Sequence, residues 1–148
     1  ITVLPMSHDC EGTVGYVIEC ENEKMVYVTD TGYIKKEVKD YIRDADYYVF
    51  ESNHDIEMLM NTRRPLFLKN RIFGDKGHLN NEYSAHVMAQ VIGENTKEIC
   101  LAHLSQEANT KEMALDTYQR VFDEEHIYFD NIKIADQKEI VSGGHYEN

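Results

Sequence analysis

Positive charge is scarce in this sequence: 15 lysines and arginines stand against 27 aspartates and glutamates, for a formal net charge of −12. That deficit excludes a protein that holds phosphate backbones by bulk positive charge and confines any nucleic-acid contact to a local patch. Long hydrophobic runs are missing too. Stretches such as Ile99-Cys100-Leu101-Ala102 fall far short of the ~20 apolar residues of a spanning helix, so no membrane role is expected. Cysteine is rare, with Cys10, Cys20 and Cys100 widely spaced and no C-x-x-C pair. An odd, scattered set excludes a disulfide framework and a zinc ribbon, and it points to a cytoplasmic protein. No repeat, low-complexity tract or linker divides the chain. An initiator methionine is absent, and the chain opens on Ile1-Thr2-Val3-Leu4, already a strand pattern, as a fragment would.

What is present is ordinary globular material, 42% hydrophobic and 28% charged over 148 residues, enough for one unit with a core. β-rich runs predict strands over residues 1–6, 14–20, 24–29, 46–51 and 97–104, with two short ones at 127–129 and 132–135. Apolar spacing of three and four predicts helices over 35–43, 54–60, 65–73 and 80–93, the last with a core stripe of Ala85, Met88, Ala89 and Ile92. A further helix runs to Asp123, with Asn109 and Glu112 read as its capping pair. The segment from Gly143 to Tyr146 is expected to fray.

Polar groups recur where strands stop and in the loops beyond: His8 and Asp9, Asp30, Glu51 with Asn53 and His54, His78, and His103. In layered α/β proteins such positions converge on one rim, where metals and ligands are held. Imidazole and carboxylate together suit zinc, manganese or iron, and one aspartate can bridge two ions. The competing reading is plainer. A histidine at a strand end is more often a hydrogen-bonded loop residue, and Asp-Thr-Gly is an ordinary turn.

Taken in order, Ser7-His8-Asp9 with Gly15-Tyr16, Thr29-Asp30-Thr31-Gly32, Glu51-Ser52-Asn53-His54-Asp55, Leu68-Lys69-x-Arg71-Ile72 with Gly77-His78-Leu79-x-Asn81, and Leu101-Ala102-His103-Leu104-Ser105 resemble the C-terminal half of the YycJ/WalJ (VicX) family. Its members are metallo-β-lactamase-fold hydrolases regarded as 5′-to-3′ DNA exonucleases, similar to the tRNA 3′-processing zinc endonucleases. The resemblance runs from about Met6 to Ala114. It implies an α/β protein of the αββα four-layer sandwich type, C-terminal half only, with residues 1–148 a partial domain that supplies one sheet and its helices. It implies His8, Asp30 and His103 as metal ligands, Asp30 bridging two divalent ions, zinc or manganese. It implies Glu51 and His78 as a catalytic pair, the carboxylate orienting an imidazole that protonates the departing oxygen. Asp9, Asn53, His54, Lys69 and Arg71 are left between two roles, supporting the ligands or touching substrate. His86, His126 and His145 read as surface residues, and Asn80 stands where the family usually has serine.

The family's His-x-His-x-Asp-His loop has no counterpart here. Without it each ion has two protein donors, below the roughly three or four of a catalytic zinc site, so this chain alone is expected to bind metal weakly and to be inactive. The resemblance implies a metal-dependent phosphodiester hydrolase acting on DNA, with RNA as the alternative. It also implies a partner over a bare sheet face, either the missing N-terminal half or a second copy. A small-molecule metallohydrolase of the same fold and a non-catalytic regulatory or interaction protein are the competing readings.

Overall fold

Alternation along the central strands sorts the side chains onto two unlike sheet faces. The computed structural model describes residues 1–144 as β1 (Thr2–Pro5), β2 (Val14–Cys20), β3 (Glu23–Val28), α1 (Lys36–Ile42), β4 (Tyr47–Glu51), α2 (Ile56–Asn61), α3 (Leu66–Phe73), α4 (Asn81–Val91), β5 (Glu98–Ala102), α5 (Lys111–Glu124) and β6 (Ile132–Ile134). The strands form one sheet in sequence order, antiparallel from β1 to β3 and parallel from β3 to β6. Register sets Val17, Val26, Tyr48 and Ile99 in one row and Val28, Phe50 and Leu101 in the next. All of these are buried, together with Val38 and Ile42 of α1, Ala85 and Met88 of α4, and Tyr118 and Val121 of α5. Each large apolar side chain so buried stabilises the fold by about 1.5–3 kcal/mol. The opposite face carries Val3, Tyr16, Tyr27, Val49 and Cys100 in register and stays open, with Tyr16 and Tyr27 38% and 40% exposed. A mixed sheet with its helices packed on one face is the α/β layer pair that the motifs imply. No helix among the described residues is long and apolar enough to cross a membrane.

The structure corrects four local expectations. Residues 127–129 form no strand; the Ile127 N–H instead bonds the Phe122 carbonyl at the end of α5. Thr110, not Asn109, caps α5, its hydroxyl accepting the Met113 N–H at 3.1 Å. Asn109 faces inward and donates to the carbonyls of Ser52 and Asn53, partners that local spacing cannot reveal. The tail is tied down at Gly144, whose N–H donates to Glu98, and at Ser142, whose carbonyl accepts from Lys133; His145 and Tyr146 lie outside the described residues. Finally, α3 buries none of its residues, although Leu66, Leu68, Ile72 and Phe73 have the spacing of a core helix.

One close approach matters for the rim. A Cβ on Gly32 would sit 2.4 Å from the backbone of Gly74 and Asp75, so the loop after α3 lies flat against the Asp30 loop. Backbone cannot yield as a side chain does. Gly32→Ala is therefore expected to lower stability by about 1–3 kcal/mol, read from the urea midpoint.

Candidate metal centre

Because β3, β4 and β5 run parallel with Val28, Phe50 and Leu101 in register, their C-terminal ends align. Glu51 is the last residue of β4, Asp30 and His103 lie just beyond β3 and β5, and the loop before α4 brings His78 to the same rim. Glu51 organises the group. It is fully buried; Oε1 accepts from Nδ1 of His78 at 2.8 Å and of His103 at 2.7 Å, while Oε2 accepts the N–H groups of Thr31 and Leu79, each at 3.1 Å. Four accepted bonds fill a carboxylate, so both oxygens are taken up by neighbouring N–H groups. With Nδ1 donating, the free nitrogen of each ring is Nε2, the arrangement that prepares histidine to bind a metal. Burial works to raise the Glu51 carboxyl, yet the hydrogen bonds from His103 and His78 outweigh it and hold the group at about 2. The same bond raises His103 above the ordinary imidazole value, with Asp30 adding to the effect.

Asp30 and His103 both adopt left-handed backbone, with φ of 56° and 59°. Such strain costs about 1–3 kcal/mol per residue and concentrates at functional sites. At His103 it is braced by the Asn53 amide, which donates to the His103 carbonyl at 2.7 Å. His103 Nε2 lies 3.7 Å from Asp30 Oδ1, and one donor atom from each of Asp30, Glu51, His78 and His103 lies within 4.8 Å of the others. His8 stands beside this group, its ring 5.1 Å from that of His78, its Nδ1 on the Gly77 carbonyl at 2.9 Å and its Nε2 3.3 Å from Asp9 Oδ1. Aspartate and imidazole nitrogen are the donors that suit a divalent transition metal, so the residues fit such an ion.

The remaining expected residues divide. Asp9 pairs with Arg71 next to His8, and that hydrogen bond holds the Asp9 carboxyl below its usual value. Lys69 is turned away and donates to the Met60 carbonyl. His54 lies beneath the rim, fully buried, with Nδ1 3.2 Å from the Asn53 side-chain oxygen and no partner for Nε2 among the described residues. Burial, with the charge of His78 second, pushes it down to about 4. A depressed base stabilises the fold above its unfolded value of 6.5 and loses that contribution as pH falls toward 4. Between those limits the metal-free protein is expected to lose up to about 3 kcal/mol that His54→Gln does not lose, measured by urea unfolding.

A buried polar network under the rim was absent from the expected set. Ser52 Oγ donates to the Asn81 side chain at 2.6 Å, Asn81 donates to Asn109 at 2.9 Å, and Ser84 Oγ donates to the Glu51 carbonyl while accepting from Tyr118. The signal was there. Asn81 and Ser84 fall on the same helical stripe as Ala85 and Met88, and a polar residue on an apolar stripe needs a partner.

Comparison with known proteins agrees with this fold. A family model described as Beta-lactamase superfamily domain matches residues 1–104. The chain belongs to the beta-lactamase superfamily. Within that superfamily it is 44% identical over 119 residues to exodeoxyribonuclease YycJ of Bacillus anthracis, covering 80% of this chain and 45% of that protein. It is 40% identical over 109 residues to exodeoxyribonuclease WalJ of Streptococcus pneumoniae serotype 2, covering 74% and 40%. The chain thus spans less than half the length of these superfamily relatives. The crystal structure of the metallo-beta-lactamase fold protein YhfI from Bacillus subtilis matches 90% of this chain and 45% of that one, with a TM-score of 0.63 at 17% identity, which establishes the shared fold.

Proposed function

We propose that this chain carries part of the two-metal centre and the proton-delivering pair of a phosphodiester hydrolase that acts on DNA, with RNA as the alternative. The observation that carries the reading is Glu51, a saturated buried carboxylate that orients two imidazoles beside one half-buried aspartate. The exodeoxyribonuclease names of the relatives supply the substrate class. His8, Asp30 and His103 would hold the divalent ions, zinc or manganese. The chemistry such ions supply when bound is charge for phosphate oxygens and acidification of water. His78, oriented through Nδ1 by Glu51, delivers a proton from Nε2 to the leaving oxygen. Asn53 keeps His103 in position through its carbonyl.

Two protein donors per ion fall below the ~three or four of a catalytic site. The remaining donors therefore come from outside this chain, and the chain alone hydrolyses poorly. The open row from Val3 to Cys100 is the face on which an additional half, or a second copy, packs. The unpaired cysteines accord with a cytoplasmic setting.

The test is hydrolysis of a 5′-phosphorylated DNA duplex by a full-length form, set against thioester and β-lactam substrates, with bound metal measured in parallel. Metal-dependent release of nucleotides is expected. Turnover of thioester or β-lactam alone moves the assignment to a small-molecule hydrolase, and less than one equivalent of metal moves it to an interaction protein.

A further inference from the structure

His54 is fully buried, yet the chemistry at the rim makes no use of it. A side chain without exposure does not touch substrate, and its Nδ1 faces the Asn53 side chain rather than the group around Asp30. Filling space is a poor reason for an imidazole here. Its Nε2 has no hydrogen-bond partner among the described residues, a penalty that an apolar ring of the same size would not carry.

The surroundings of the ring show what it does. Asn53 and His54 form a short bridge between the two histidine-bearing loops. On the side of His78, the Asn53 N–H donates to the Leu79 carbonyl and the His54 carbonyl accepts the Asn81 N–H, each at 2.8 Å. On the side of His103, the Asn53 carbonyl accepts the Ser105 N–H at 2.7 Å, and the Asn53 side-chain amide donates to the His103 carbonyl, also at 2.7 Å. That last bond fixes the direction of the next one. A carbonyl only accepts, so the amide presents its NH2 to His103 and its oxygen to His54, whose Nδ1 lies 3.2 Å away. Burial keeps the ring neutral, so its one ring proton sits on Nδ1 and the orphaned Nε2 carries the lone pair. Phe73 of α3 meets the ring edge to face, with centroids 6.4 Å apart.

We propose that His54 is a positioning residue for the metal centre: its Nδ1–H locks the Asn53 amide in the orientation that braces His103, and so sets the aim of His103 Nε2 from the protein interior. This rests on the reading of His103 as a metal ligand and adds the residue that holds it in place. The need for a brace lies in the backbone. His103 has left-handed backbone at φ 59°, a strained conformation for histidine, and Asn53 holds its carbonyl. Asn53 is only 8% exposed, so without the His54 donor its oxygen is left buried and unpaired, and the amide turns toward another partner. His103 then relaxes, and its ring leaves the position beside Asp30.

Nitrogen–proton correlation spectra of the unsubstituted protein in chelator should show the His54 proton on Nδ1, and a proton on Nε2 overturns the proposal whatever the variants do. Two substitutions separate the donor from the ring. His54→Phe keeps an aromatic ring and removes the donor, whereas His54→Asn gives up the ring but can place an N–H at the same remove from the backbone. Hydrogen exchange at the Ser105 amide, in chelator, should quicken by about fivefold in His54→Phe, the equivalent of one hydrogen bond, and return toward the original rate in His54→Asn. Zinc affinity of the full-length form should fall by about tenfold in His54→Phe and recover in the same way. A ring needed only for packing gives the reverse order, with His54→Asn the worse of the two, and overturns the proposal. Asn53→Ala closes the cycle: because His54 acts through Asn53, adding His54→Phe to Asn53→Ala should lower zinc affinity no further. A double variant that shows the product of the two single effects overturns the relay, as does a His54→Phe protein with unchanged exchange and affinity. An unsubstituted full-length form that takes up no zinc overturns the ligand reading instead, while proton position and exchange rate still decide whether His54 holds the Asn53 amide.

Discussion

Replacing His103 by alanine is expected to reduce metal-dependent DNA hydrolysis by the full-length form to below a hundredth of its starting rate. The side chain is placed to hold an ion through Nε2, with Asp30 3.7 Å away, and its backbone is braced in a strained conformation by Asn53. Residues that merely orient a ligand already cost about 10–100-fold when lost, so a ligand itself costs more. Metal content should fall in step with activity. A variant that keeps both its metal and its rate removes His103 from the ligand set.

Glu51→Gln is the second large effect, and it should appear in stability as well as in metal affinity. The carboxylate accepts two ring N–H groups on one oxygen and two backbone N–H groups on the other. An amide keeps one oxygen, so its NH2 must face one of those donor pairs. Leaving buried donors unsatisfied costs about 1–3 kcal/mol each, and the urea midpoint should fall by an equivalent of about 2–5 kcal/mol in chelator. The same substitution should change the acid limb of stability. Glu51 is held at about 2 against an ordinary 4.5, so its contribution is present above pH 4.5 and is lost as pH falls toward 2. That loss is roughly 3 kcal/mol, and Glu51→Gln should not show it. Affinity for added zinc should drop about 10–100-fold. A variant with an unaltered midpoint and metal affinity would leave Glu51 without the orienting role.

Much of the rim is legible from residue order alone. The ends of β3, β4 and β5 carry Asp30, Glu51 and His103 because alternation marks where each strand stops, and parallel strands stop together. The cap of α4 at Asn80 is equally local, with its side chain accepting the Tyr83 N–H three residues on. Other features are not legible in the same way. Thr110 and Asn109 are adjacent, and both belong to the residue types that cap helices. Only the distant carbonyls of Ser52 and Asn53 decide that Asn109 turns inward. Helical spacing in α3 suggests a buried face, but the packing leaves none of its residues fully buried.

The sequence by itself determined most of the element order, the α/β class and the charge imbalance. Each of these depends on composition or on neighbours a few positions apart, where pleat and helical pitch set the geometry. Tertiary structure alone decided that Glu51 serves two histidines at once, 27 and 52 residues away, and that Lys69 points elsewhere while His8 stands one ring outside the tight group. Those outcomes rest on which distant chain segments pack together, and a buried carboxylate takes whichever donors that packing brings to it.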